Sequence, residues 1–231
     1  ALGHRRGTAG ELVRNYRGHY AGSNWAAFGV NNRDLFSDHV PGSSELLVRT
    51  VQALLQECYL CETGTEYACY RRGEAVKLTS LVANFSAGPA HATVGFRVGP
   101  RATPERTVYE ATVEVDVPAG GTLPVSAHWA PETFGEDLYV LETTLSEGGE
   151  VRDAQRGGFV VWDDEVVRAS PVLSVQDAYF ARDGKTSFIC GSDESGYPFY
   201  AESEDPLIWD EEFRLMRDMG LRLYRGMHFL S

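Results

Sequence analysis

The sequence predicts a mainly β protein: an immunoglobulin-like antiparallel sandwich with flanking α/β segments, the C-terminal one an incomplete start of a TIM barrel. Three observations predict it. From about residue 65 to Trp162, short alternating apolar and polar runs recur between Gly- and Pro-bearing turns. Residues 188–231 read strand, loop, helix, strand, which is the order of one βαβ unit. At 231 residues, with 43% apolar and 23% charged content, the chain has the length and composition to bury a real core.

The sandwich strands rest on period-two alternation. Val76, Leu78, Ser80 and Val82 alternate with Lys77, Thr79 and Leu81 across residues 75–85. Residues 92–98, 107–117, 123–129, 137–146 and 157–162 behave similarly. Turn material separates them: Ser86-Ala87-Gly88-Pro89, Gly99-Pro100, Pro118-Ala119-Gly120-Gly121 and Glu147-Gly148-Gly149-Glu150. Strands at this spacing argue for an immunoglobulin-like arrangement, although the Cys…Trp…Cys pattern of antibody domains is missing. Residues 163–174 carry no Pro/Ser run, so a rigid junction is expected there.

Ahead of the sandwich, residues 12–16 suit a short strand and residues 20–25 a loop. Ser43 or Ser44 is expected to cap a helix with Leu47, Val51, Leu54 and Leu55 on one face. Behind it, Phe188-Ile189-Cys190 reads as a strand ending at Gly191-Ser192-Asp193-Glu194. A Gly/Pro/aromatic loop follows, from Ser195 to Tyr200. Asp205-Pro206 then introduces a helix, Asp205 as cap and Pro206 at the first position. Trp209, Phe213, Met216 and Met219 form its apolar face, Asp210 and Glu211 fall among the wetter positions, and Gly220 ends it. Leu221-Arg222-Leu223-Tyr224-Arg225 is the second strand. A whole barrel needs about 200 residues or more. This segment is therefore expected to hold the beginning of a catalytic domain without its chemistry.

These last residues carry a resemblance. Trp209-Asp210-Glu211-Glu212-Phe213-Arg214-Leu215-Met216-Arg217-Asp218-Met219-Gly220-Leu221 is similar to the first barrel helix of the clan A glycoside hydrolases, with a family 2 and family 5 flavour. Tyr224-Arg225-Gly226-Met227-His228-Phe229 resembles the strand end that follows it in family 2. The stretch from Tyr179 to Gly191 resembles the β-hairpin that leads into the first barrel strand. One departure is Ser192-Asp193-Glu194, where members often carry Asn or Thr-Asn. The resemblance implies hydrolysis of O-glycosidic bonds by two carboxylates, with retention, in the complete enzyme. The family's two glutamates stand at the ends of barrel strands 4 and 7, past the end of this sequence, so no catalytic residue is assigned and the chain alone is expected to be inactive.

The resemblance also supplies the candidate substrate-binding residues. Asp193 and Glu194 fall at the end of the first barrel strand, on the face where barrel active sites form. They either hydrogen-bond sugar hydroxyls or are solvated loop carboxylates. Arg225 stands where members carry an arginine supporting the acidic cluster, and His228 is placed to donate to a sugar hydroxyl. For both, a plain structural role is the alternative. Tyr197, Phe199 and Tyr200 are either a sugar-stacking wall or loop packing. The implied division is a segment 1–64, a sandwich 65–165 and a barrel start 166–231. The first segment reads either as the tail of a flavodoxin-like or amidotransferase-like domain or as an extension packed on the sandwich. The expected partners are carbohydrate, the remainder of the barrel, and a second copy through exposed barrel strands. A carbohydrate- or protein-binding module, using Trp25, Trp129 or the Tyr197–Tyr200 loop, is the rival reading; a structural spacer is a third.

Other signals exclude classes. A net charge of −12 disfavours nucleic acid and anionic membranes as partners, since both reward basic patches. No apolar run has membrane-span length and no signal peptide is visible, but the chain opens on Ala1 rather than Met, so compartment stays open. Cys58 and Cys61 have C-x-x-C spacing, yet Cys69 and Cys190 make a poor second pair for zinc, and ordinary thiols are expected. The Asn84-Phe85-Ser86 sequon lies in a strand-like run and is expected to be structural. Asp163-Asp164-Glu165 reads as a solvated turn rather than a calcium loop. With no G-x-S-x-G, Walker A or dinucleotide fingerprint, no cofactor is expected.

Overall fold

A computed structural model describes residues 10–30, 34–37, 39–194 and 206–226. Its centre is a two-sheet sandwich. One sheet orders β3 (Cys58–Thr65), β5 (Val76–Asn84) and β8 (Gly121–Trp129), with β5 in the middle. The other holds β4 (Cys69–Arg71), β10 (Glu150–Trp162), β9 (Leu138–Glu147), β6 (Ala90–Pro100) and β7 (Tyr109–Val117), in that order. All pairs are antiparallel except the parallel β4–β10. The chain switches sheets between β3 and β4, β4 and β5, β5 and β6, β7 and β8, and β8 and β9, as strands of a sandwich do.

The alternation seen in the sequence is the alternation of burial. Val76, Leu78, Ser80 and Val82 of β5 point inward, against Val94, Phe96 and Val98 of β6 and Leu141 and Leu145 of β9. One end of the core is aromatic: Tyr139 stacks on Phe159 at 5.2 Å, and Trp129 meets both edge-on. Trp129 is thereby part of the core rather than a free platform. Asn84 is fully buried; its amide donates to the carbonyls of Gly88 (2.9 Å) and Val117 (3.0 Å), and its Oδ1 accepts from Ser86. The sequon is a structural clamp with no room for a glycan. At the open edge, β7 turns Glu110, Glu114 and Asp116 outward, charges that discourage edge-to-edge pairing.

Strict alternation breaks where a second layer covers a sheet. Tyr139, Val140 and Leu141 of β9 are buried in succession, as are Gly157, Gly158 and Phe159 of β10. Helix α3 (Pro206–Asp218) covers this patch. A Cβ on Gly158 would lie 2.7 Å from Leu207 Cγ and 2.7 Å from the Tyr139 carbonyl oxygen, so only glycine lets the helix seat. Arg101 Nε reaches to 3.8 Å from Asp210 Oδ2 across the same contact. Asp210, expected on a wet face, is therefore a docking residue.

The opposite sheet shows the same signature. Cys58, Tyr59 and Leu60 are buried in succession, and so are Val82, Ala83 and Asn84. Here the hairpin of β1 (Gly10–Arg14) and β2 (Asn24–Phe28) supplies the cover. The Arg14 guanidinium lies 4.7 Å over the Tyr59 ring, pairs with Asp153 at 2.5 Å and donates to Gln56 at 2.8 Å. Asp153 also accepts the Leu60 N–H at 3.0 Å, tying hairpin, β3 and β10 together.

Several local expectations change. Helix α1 (Ser43–Leu55) is capped by Gly42 at φ 80, not by Ser43 or Ser44; the Ser43 hydroxyl is spent on the Ser37 carbonyl at 2.6 Å. Its apolar face is largely uncovered among the described residues, Leu55 being 74% exposed. β3 lies upstream of the region read as sandwich. Asp163 caps α2 (Asp164–Ala169) by accepting from the N–H groups of Glu165 and Val166, and it pairs with Arg72 at 2.8 Å. That carboxylate is a helix cap and not a cation loop. Past it come a small sheet of β11 (Leu173–Gln176), β12 (Tyr179–Arg182) and β13 (Lys185–Thr186), the hairpin expected before the barrel.

Candidate functional site

The candidate site is built on two short parallel strands, β14 (Gly191–Glu194) and β15 (Leu223–Gly226), with α3 crossing between them in sequence. The first strand starts at Gly191 rather than at Phe188. Residues 188–190 lie outside the ladder, and Phe188 is 97% exposed. Gly191 sits where the strands approach most closely: a Cβ there would lie 2.5 Å from the Leu223 carbonyl oxygen. The helix ends in a Schellman motif, with Gly220 N–H on the Arg217 carbonyl and Leu221 N–H on the Met216 carbonyl, both 3.0 Å. The Arg222 N–H then bonds the Cys190 carbonyl at 2.7 Å and starts the second strand in register.

That register brings two of the candidate residues together. Asp193 pairs with Arg225 and Glu194 with Gly226, so the acid and the base hold the same position on neighbouring parallel strands. His228, Tyr197, Phe199, Tyr200 and the capping Asp205 lie outside the described residues.

The thiols separate into two classes. Cys58 is buried in the sandwich core and its pKa is pushed up to about 12, first by burial and then by Glu147. Cys61 sits at the bulge of β3, and burial again, followed by the charge of Glu62, pushes it up to about 12. Both are protonated and poor nucleophiles at neutral pH. Cys69 and Cys190 are exposed. The Tyr16 phenol, hydrogen-bonded to Glu62, is likewise raised to about 12, chiefly by burial.

Sequence reasoning picked out Trp25 and Trp129 as candidate sugar platforms and passed over Tyr67 and Trp162. The structure places these two on one open cleft of 650 Å³ at the β4–β10 edge, together with Cys69, Tyr70, Arg71 and Glu74. The available signal was Trp162 at an outward position at the end of an apolar strand; Tyr67, in the loop between β3 and β4, carried none.

No protein-family model matches the chain, and no curated protein matches it in sequence. Solved structures of similar shape include members of glycoside hydrolase family 2, at low identity and partial coverage. A β-glucuronidase 2 from Bacteroides uniformis, covalently bound to cyclophellitol-6-carboxylate aziridine, is 15% identical, with a TM-score of 0.45 over 76% of this chain and 22% of its own. A putative β-galactosidase from Bacteroides fragilis is 13% identical, with a TM-score of 0.43 over 76% of this chain and 27% of its own. A cycloisomaltooligosaccharide glucanotransferase from Paenibacillus sp. is 20% identical, with a TM-score of 0.40 over 49% of this chain and 15% of its own. The chain thus spans 22% and 27% of the length of the first two.

Proposed function

We propose that this chain is the non-catalytic N-terminal part of a glycoside hydrolase that, in its complete form, hydrolyses O-glycosidic bonds. The observation that carries this reading is the parallel βαβ unit, whose second strand sets Arg225 in register with Asp193. Two-carboxylate glycosidic chemistry requires carboxylates held ionised and oriented beneath the sugar, and an arginine supplies that through charge-assisted hydrogen bonds. The motif phrases on either side of Gly191 and Arg225 support the same reading. In it the sandwich holds the first barrel helix through Gly158, Leu207 and Asp210, and thereby places the two strands. His228 would donate to a sugar hydroxyl, and the remainder of the barrel would supply the remaining strands.

The test compares this chain with a longer polypeptide running through a complete barrel on a panel of aryl glycosides. The expected outcome is turnover only in the longer form. There, Arg225→Ala should lower kcat/KM by about 10²-fold or more, as loss of a preorganised charge does. Turnover by residues 1–231 alone sinks the reading and returns Asp193 and Glu194 to consideration as catalytic groups.

A second reading, a carbohydrate-binding sandwich, is favoured by the cleft between Tyr67 and Trp162.

A further inference from the structure

We propose that the cleft at the β4–β10 edge is a saccharide-binding site, with Tyr67 and Trp162 as its two ring platforms. Both rings are exposed, Tyr67 by 62% and Trp162 by 44%, and both line the same 650 Å³ opening. Neither is left loose. The Trp162 indole Nε1 donates to Asp164 Oδ1 at 3.0 Å, and Tyr67 rests edge-on against the buried ring of Tyr70 at 6.0 Å. Asp164 Oδ2 lies 3.8 Å from Arg71 Nη1, so a single carboxylate steadies a ring wall and the guanidinium beside it. Exposed rings held in place before a ligand arrives lose little entropy on binding.

The chemistry of the lining selects the occupant. The edge strand has little backbone hydrogen bonding to offer a peptide. The Arg71 N–H is taken by Glu74 Oε2 at 2.8 Å, the Arg71 carbonyl by Glu74 N–H at 3.1 Å, and the Tyr67 N–H by the Tyr70 hydroxyl at 3.2 Å. Strand addition is thereby disfavoured. What remains is two ring faces, one guanidinium and one carboxylate. Ring faces suit the C–H faces of a pyranose, and the charged pair suits its hydroxyls as acceptor and donor. A mixed pair rather than a basic cluster points to a neutral oligosaccharide over a uronic acid chain.

The site stands apart from the hydrolysis proposed above: the assay reads binding alone, so either reading can fail without the other. The chain is titrated calorimetrically with cellotetraose, xylotetraose and maltotetraose, and alkylation of Cys69, which lines the same cleft, is followed by mass spectrometry. At least one sugar is expected to bind and to slow Cys69 alkylation. Tyr67→Ala and Trp162→Ala should each weaken it by about tenfold, the loss of one ring contact. Tyr67→Phe and Trp25→Ala should bind normally. Tyr67→Ala decides the matter if Trp162→Ala fails to fold, because the Tyr67 side chain is mostly exposed. Absence of binding to all three sugars, affinity that survives Tyr67→Ala, or capture of a proline-rich peptide in place of sugar overturns the proposal.

Discussion

At the scale of single residues, two side chains and one missing side chain do most of the organising. Asn84 satisfies two carbonyls where β5 meets the turn before β6. Asn84→Ala removes the amide donor from the Val117 carbonyl and the acceptor that holds Ser86, and should cost about 1–3 kcal/mol in urea unfolding. Gly158→Ala puts a methyl group into Leu207 and the Tyr139 carbonyl. It should cost about 1–3 kcal/mol by overpacking and raise hydrogen exchange in α3 before any loss in β9. Arg72 holds Asp163 well below its ordinary value of 3.8, its hydrogen bond acting ahead of the helix N–H groups. A carboxyl lowered on folding stabilises the fold above the unfolded value and loses that contribution as pH falls through the folded one. The stability deficit of Asp163→Ala should therefore be full at neutral pH and shrink on acidification; a deficit independent of pH sinks the assignment. Maleimide at neutral pH should label Cys69 and Cys190 in the folded chain, and Cys58 and Cys61 only after denaturation.

At the scale of elements, legibility followed the number of covered faces. β5, with one inward and one outward face over most of its length, showed its period directly. β3 did not, because Cys58, Tyr59 and Leu60 are buried on both sides and a bulge at Cys61 resets the phase. The same double burial hid the seat of α3. The end of that helix was legible, since Gly220 followed by Leu221 is a local signal. Its docking face was not, since Asp210 is a charged residue whose partner Arg101 is remote in sequence. The apolar triplet Phe188 to Cys190 mimics a strand, whereas the polar run from Gly191 to Glu194 makes the ladder. Parallel register depends on the partner strand, which no local pattern encodes. Leu207→Ala or Asp210→Ala should free α3 from the sandwich, seen as faster exchange in residues 206–218 with the sandwich cores unchanged. The register that joins Asp193 to Arg225 was not legible in the sequence.

At the scale of the molecule, the N-terminal hairpin clasps one sheet and α3 the other, while the segment past α2 keeps much apolar surface open. Val172, Leu173, Val175, Tyr179, Phe180 and Phe188 are all exposed, and among the described residues β14 and β15 form a two-stranded sheet. Such strands seek neighbours. Light scattering over a dilution series is expected to show reversible self-association; a monomer at every concentration counts against it. The parallel pairing of β4 with β10 has another consequence, in mechanics. The strands run the same way, Cys69 beside Val160 and Arg71 beside Trp162. Tension applied from the N-terminal side of β4 and the C-terminal side of β10 slides them lengthwise against each other. Their hydrogen bonds then carry the load together instead of opening one at a time. A chain stretched between its flanks should meet its main resistance at this short zipper, and a proline at Tyr70 should remove that force peak in single-molecule pulling. The edge that frames the Tyr67–Trp162 cleft would then also be the latch that holds the sandwich shut under strain.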